Sequence, residues 1–295
     1  KLAALRMMDG AANGAIAVSD LHSAGAVTAS GRSIDLGSSG ALSFADAKAT
    51  AGNLRVIASG NLAFAKASAT GSIAMTSSAG SLSATGPLSA GGAVNLFGAT
   101  GLALGSLTSG GTTLINGGTG ALTVASLTSP GAVTALGRSL DITSPGALTF
   151  SSIAANGGAA RIATSGNLAI GDGTITGALT LASANGAINS TGTITAGGAV
   201  SLNGKTGLDF NRLNSGATTS LVSASGPIRI TRLASAGLVT ANGGSIDIGS
   251  AEGLSFATVD SPGNVSITAA GDLLFNTVSA GADLALNSTG GSLTA

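Results

Sequence analysis

Apolar residues in this chain come in pairs two positions apart, and the pairs recur. In residues 91–109, GGAVNLFGATGLALGSLTS, they are Val94 and Leu96, then Leu102 and Leu104, then Leu107. The same template gives Leu179/Leu181, Ile188 and Ile194, and then Val200/Leu202, Leu208/Phe210 and Leu213. A period of two places side chains on one face of a β-strand. Glycine and small polar residues separate the pairs, where the chain must turn. Each stretch of about 20 residues therefore predicts a coil of two or three short strands joined by tight corners.

Charged residues obey the same parity. Arg55 lies between Leu54 and Val56, Asp141 between Leu140 and Ile142, Asp209 between Leu208 and Phe210, and Arg229 between Ile228 and Ile230. Each points outward if its neighbours point inward, so no lone charge has to be buried at high cost.

A second, longer period encloses the first. GAVTASGRSIDLGSSGALSF begins at Gly25, GAVTALGRSLDITSPGALTF at Gly131 and GLVTANGGSIDIGSAEGLSF at Gly237, and the step is the same both times. The segments between keep pace: RVIASGNLAF (55–64) aligns with RIATSGNLAI (161–170). The third copy drops one residue near Pro262 and then resumes. The chain thus divides into tandem repeats 25–130 and 131–236, with partial repeats 1–24 and 237–295. It enters and leaves mid-repeat, as a piece of a longer array would.

Each repeat is expected to hold four coils of ordinary length and one longer coil. The long coils (25–50, 131–156 and 237–262) carry an extra apolar pair, Ile34/Leu36, Leu140/Ile142 or Ile246/Ile248, read as an additional strand or a bulged corner.

Stacked coils of this kind predict an all-β fold, a right-handed parallel β-helix (β-solenoid) running through all the repeats. Glycine at this density costs a helix about 1 kcal/mol per residue. Like residues should stack in adjacent coils: Phe44 over Phe64, Phe256 over Phe275, and Phe150 over Ile170.

Composition removes the rival classes. A flexible Gly/Ser linker lacks apolar residues at fixed spacing, yet this chain is 44% hydrophobic. Collagen needs a strict three-residue glycine period, which the 48 glycines do not keep. Net charge is zero and no basic run exists, so nucleic acid is not an expected partner. No apolar run approaches the ~20 residues of a membrane span. The first residues, KLAALRMMDG, lack the apolar stretch of a signal peptide, so the native start is expected upstream. Cysteine is absent, which excludes disulfides and thiolate metal sites. Its absence also suits a chain exported unfolded through an oxidising compartment.

Candidate chemistry is sparse. His22 is the only histidine, and Thr128 and Ala234 stand in its place one and two repeats later, so it reads as an exposed, incidental residue. Asp35, Asp141 and Asp247 recur once per repeat in the long coil. A Ca²⁺ site needs six to eight oxygens, and each segment offers one carboxylate. An outward aspartate beside a corner is the first reading, and a lateral contact made once per repeat is the second. No cofactor or metal is expected.

GDGTITG (171–177) lacks the lysine and the strand–helix context of a phosphate loop. A polysaccharide-degrading β-helix enzyme would need clustered acids, and the 12 acidic residues are scattered. The triplets at Asn189, Asn264 and Asn287 match a glycosylation acceptor at a frequency near chance for so polar a chain. An ice-binding face would need aligned Thr-x-Thr. Thr174-Ile-Thr176 and Thr193-Ile-Thr195 match, but the neighbouring coils offer Leu107-Thr-Ser109 and Leu213-Asn-Ser215.

Coils such as GNVSITAAGDLLF (263–275) and GALTLASANGAI (177–188) resemble those of filamentous haemagglutinin-type exoproteins, the large adhesins and toxin stalks exported by two-partner secretion. The resemblance covers essentially the whole chain. It implies a right-handed β-helix, export with an outer-membrane secretion partner, and a place on the bacterial cell surface or outside the cell. The expected function is the structural shaft of a filamentous adhesin or fibre that mediates surface attachment or cell–cell contact. Its expected partners are other copies of the fibre, neighbouring repeats, and a host or bacterial surface. The alternative is a ligand-binding solenoid that meets a host receptor, a glycan or ice through a repeated face. An enzyme is the reading with least support.

Overall fold

A computed structural model describes residues 4–8 and 14–295. Residues 1–3 and 9–13, part of the leading partial repeat, lie outside the described residues. The described chain is strand and turn with no helix. It forms two compact units, Lys1–Ser144 and Pro145–Ala295. Each unit is a β-solenoid in which every strand pairs in parallel with its counterpart about one coil away.

A coil has two arms. The short arm is one strand of four to six residues, such as Leu54–Ala58 or Val94–Gly98. The long arm runs eight or nine residues and bends in the middle, as in Leu82–Ala90 and Leu102–Ser109. In places the bend splits it into two strands, Leu62–Phe64 and Ala67–Ala69. The expectation of two or three strands per coil is therefore met.

Register makes like residues stack. In the first unit Leu42, Leu62, Leu82, Leu102 and Leu122 are successive partners on the long arms, followed by Leu140. On its short arms the column is Ile34, Leu54, Ile73, Val94, Thr113 and Val133. The second unit stacks Leu148, Leu168, Ile188, Leu208 and Ile228 on long arms, then Ile246, Val265 and Leu284 on short ones. All of these but Leu284 are buried. The outward positions between them, Arg55, Asp141, Asp209 and Arg229 among them, are exposed. Phe44 stacks on Phe64 with ring centroids 4.9 Å apart, and Phe256 on Phe275 at 5.0 Å. Phe150 lies in register with Ile170.

Corners close by two devices. The first is glycine where no side chain fits. Gly101 and Gly207, equivalent positions in successive repeats, hold φ at +147° and +154°, a region L-residues avoid. A Cβ on Gly120 or Gly226 would meet the carbonyl oxygen of Thr100 or Thr206 at 1.9 or 1.8 Å. The second device is an inward hydroxyl at the end of an arm. Ser77 donates to the Gly60 carbonyl at 2.7 Å and Ser183 to Gly166 at 2.7 Å. Ser261 reaches Gly244 at 3.2 Å. A Thr–Ser hydroxyl contact recurs as well, buried at Thr113 to Ser129 (3.0 Å) and part-buried at Thr219 to Ser235 (2.8 Å). Buried polar atoms need such partners.

One expectation changes. Residues 25–130 hold six short arms and five long ones, eleven in all. The repeat is therefore five and a half coils, and not five. The extra pair Ile34/Leu36 belongs to a complete additional short arm, Ser33–Ser38, directly after the short arm Ala26–Gly31. Two short arms in succession make the long arms change sheets. In the first unit Ala15–Val18, which opens a long arm by its place in the repeat, pairs with Ser33–Ser38 on one sheet. The long arms from Leu42 onward stack on the other. The second unit makes the same change on its own. Long arms up to Pro227–Ser235 share one sheet, which then continues with the short arm Ser245–Ser250, while the long arm Leu254–Ser261 joins the opposite sheet.

Leu107 lies between Leu88 and Leu127 in a fully buried column. Leu107→Ala should lower unfolding free energy by about 2–5 kcal/mol in urea titration. Thr108→Ala, at the adjacent exposed position, should stay within about 0.5 kcal/mol.

Candidate functional site

The extra short arm carries the aspartates that recur once per repeat. Ile34 and Leu36 are buried, so Asp35 between them points out. Its register neighbours are Ala17 and Arg55. Arg55 Nη1 donates to Asp35 Oδ1 at 2.7 Å, with both side chains about half exposed. Asp141 is likewise outward on Leu140–Ser144, beside Thr123. Asp247 is outward on Ser245–Ser250, between Arg229 and Ser266. The structure does not gather these residues. Within the first unit Asp35 and Asp141 lie on different sheets. Among the described residues no group of three or more His, Asp or Glu side chains is placed to hold a metal ion.

The extra arm also makes a step. It is short, and it stacks on a long arm. In the second unit Ser245–Ile248 covers Pro227–Ile230, whereas Arg232–Ser235 of the same arm has no strand partner on that side. In the first unit Ser33–Leu36 covers Ala15–Val18 only. An open groove of about 730 Å³ lies there, lined by Ala17, Val18, Asp20, Asp35, Arg55 and Ile57 among others. The step in the second unit has a small hollow of about 80 Å³ beside Arg212, Arg232 and Glu252.

His22 sits at the first step. It is exposed, as expected, but it is engaged. Its Nε2 lies 3.1 Å from Ser39 Oγ, and its Nδ1 lies 3.5 Å from Asp20 Oδ1. The order serine, histidine, aspartate is that of a nucleophile, base and orienting acid. The rest of the geometry differs. Asp20 Oδ1 also accepts from Ser39 N at 3.0 Å and from Ser39 Oγ at 3.1 Å, which closes a triangle. The imidazole is 68% exposed. The three residues tie one corner to the next coil. Chiefly the Ser39 backbone N–H holds the Asp20 carboxyl below the usual range; desolvation is the next largest effect and opposes it, and the Ser39 hydroxyl and then His22 add to the lowering.

That tie belongs to a series the sequence reading missed. Asn or Asp at a corner accepts a backbone N–H from the next coil: Asn53 from Ser72 at 2.9 Å, Asn61 from Ser81 at 3.0 Å, Asn167 from Ala187 at 3.0 Å. Asp172 takes Thr193 at 2.9 Å and Asp272 takes Ser292 at 2.7 Å. The signal was available as Gly-Asn/Asp before an apolar residue, in GNL at 52–54, 60–62 and 166–168 and in GDL at 271–273. Ion pairs one coil apart were also missed: Asp35–Arg55, and Asp46–Lys66 at 3.2 Å.

The threonine pairs do not form a flat double file. A register shift between Ile170 and Gly173 sets Thr174 against Thr195 and not Thr193, so the two pairs are out of step, and on the other side of its strand Thr193 faces Arg212. The file continues as Asn214, whose amide donates to Thr195 Oγ1 at 3.1 Å, and then Ala234.

No family model matches the chain, and no curated protein or solved structure matches it.

The Asp272 corner gives a pH test. The Ser292 N–H is the main cause that holds this carboxyl below 3.8, and the Ser292 hydroxyl adds to it against slight desolvation. A carboxyl depressed by folding contributes stability above its unfolded-state pKa. That contribution is lost as pH falls through the lower folded value. The protection factor of the Ser292 amide, read by NMR hydrogen exchange, should therefore drop as pH falls below about 3.8. Asp272→Asn, which copies the Asn61 and Asn167 corners, should abolish that drop. An equal drop in both proteins would refute the assignment.

Proposed function

We propose that this chain is a stiff module of a secreted or cell-surface bacterial filament, an adhesin or fibre shaft that serves attachment or cell–cell contact. The observation that carries the reading is the column of like residues inside each unit. Leu42, Leu62, Leu82, Leu102 and Leu122 occupy one column, one leucine per coil, and every added coil repeats the same bonds. Stability in such a stack grows by nearest-neighbour contacts. A fold of this kind can be lengthened without redesign, and that is what a shaft requires. The interior is filled by its own side chains, so what the module offers a partner lies on its outside.

The resemblance of GNVSITAAGDLLF (263–275) to filamentous haemagglutinin-type coils supports the same reading. In that reading the chain leaves the cell with an outer-membrane secretion partner. The lack of cysteine suits the route, because no disulfide can form before export is complete.

Immunogold electron microscopy of the source cells tests the proposal. Antibody raised against this chain should decorate filaments at the cell surface or in the culture medium. Label confined to the cell interior would overturn it.

A further inference from the structure

We propose that the long-coil segment of each repeat is a lateral contact with other copies of this chain, made on opposite sides in turn. The inference rests on the filament reading and says how such modules would associate.

The argument starts from eleven arms per repeat. An even number would return each repeat to the same sheet. An odd number sends the next copy of any feature to the other sheet. Asp35 and Asp141 show this in the first unit, where one stacks against Ala17 and Arg55 and the other against Thr123 on the opposite sheet. The second unit repeats the exchange at Ser245–Ser250 and Leu254–Ser261. A module built this way presents its distinctive segment to both flanks.

The segment carries both signs of charge. Arg32 stands shortly before Asp35, and Arg138 stands in the same place before Asp141. The third copy has Gly244 in place of the arginine, but Arg229 stands in register beside Asp247. An arginine thus stands near the aspartate in each copy, three residues before it in sequence in the first two and in strand register in the third. Only 8% of the residues are charged, so this recurrence stands out from its surroundings. The ion pair that Asp35 makes, with Arg55 of the next coil, does little for the fold itself. Both Asp35 and Arg55 are more than half exposed, and exposed ion pairs add almost nothing to stability. Their value lies in an interface, where opposed charges set partner and register.

The partner that fits is a second copy. A patch with both signs is self-complementary under a two-fold axis, arginine of one chain against aspartate of the other. The chain has zero net charge, so copies meet without general repulsion. Beside Asp35 the groove floor of Ala17, Val18 and Ile57 gives such a contact apolar surface to cover.

Sedimentation velocity and negative-stain microscopy of the whole chain test this at low and high salt. One variant, Arg32→Gly with Asp35→Ser, removes the first flank. Arg138→Gly with Asp141→Ser removes the second. Lys205→Ala, which copies Ala99 of the preceding repeat, is the control for loss of an unrelated charge. Circular dichroism checks that each variant keeps its strands. The unaltered chain should form side-by-side assemblies larger than dimers in low salt, and high salt should disperse them. Either flank variant should associate at least tenfold more weakly than the unaltered chain. The variant that combines both with Arg229→Thr and Asp247→Ser, and so removes the third copy as well, should be monomeric, and the control should behave as the unaltered chain.

A chain that stays monomeric at every concentration would overturn the proposal. So would variants that assemble like the unaltered protein. Joining through the exposed Leu284 and Leu293 is apolar and would survive high salt, and assemblies that do so count against a lateral contact. Monomers in solution together with gold-labelled filaments on cells would remove this contact and leave the filament reading intact.

Discussion

The coil-to-coil backbone ladder is the constraint on which everything else here depends. Parallel pairing fixes each residue over its counterpart about 4.8 Å away. A side chain therefore cannot choose its neighbours independently of the repeat. Inside, this favours identical residues, because a column of leucines or a pair of stacked phenylalanines fills each layer equally. Val94 and Thr113 show what happens when a column breaks type. Thr113 brings a hydroxyl into the interior, and Ser129 answers it at 3.0 Å. The same exchange, repeated at Thr219 and Ser235, shows that the polar contact belongs to the repeat.

The ladder acts on the outside too. Asp209, Arg229 and Asp247 stand in one column with alternating charge. Arg212 and Arg232 stand together with like charge, which costs about 0.2–1 kcal/mol in adjacent strands. The alternating column offsets its own charges, and the arginine pair does not. Neither column is copied in the preceding repeat, where Ala103, Thr123, Ser106 and Ser126 hold the equivalent places. Interior columns are kept from repeat to repeat while exterior columns drift. Exterior features that do persist, such as the aspartate of the long coil, therefore ask for an explanation beyond folding.

Much of this was legible in the residues. The inward positions followed from apolar pairs at i and i+2, and the phenylalanine stacks followed from a spacing of one coil. The deleted residue near Pro262 falls in a corner. Register resumes with Asp247 against Ser266, one position closer in sequence than Asp35 is to Arg55. What the residues hid was anything set by the count of arms. Ile34/Leu36 looked like an elaboration of one coil, because apolar spacing reports that a strand exists and not which sheet it joins. The tie among Asp20, His22 and Ser39 was hidden for a related reason. Ser39 is distant in sequence from Asp20 and His22, and only the coil pitch brings it to them. Corner asparagines were visible but ambiguous, since asparagine at a turn usually bonds its own backbone, as Asn116 does with Gly118.

The half coil connects these threads. A repeat of whole coils would be the simpler product of duplication, with every junction alike and no change of sheet. This repeat inserts one short arm instead, and two costs follow. Part of a long arm, Arg232–Ser235, loses its partner strand, and an open groove forms beside Asp35. Uncovered strand edges invite association with other chains, so folding alone would have favoured an even number of arms. The odd number places a break in an otherwise uniform surface next to the one outward charge that all three copies of the long coil keep. Interior uniformity leaves the outside as the one place where a repeat can carry information, and the extra arm decides where on the outside that information appears.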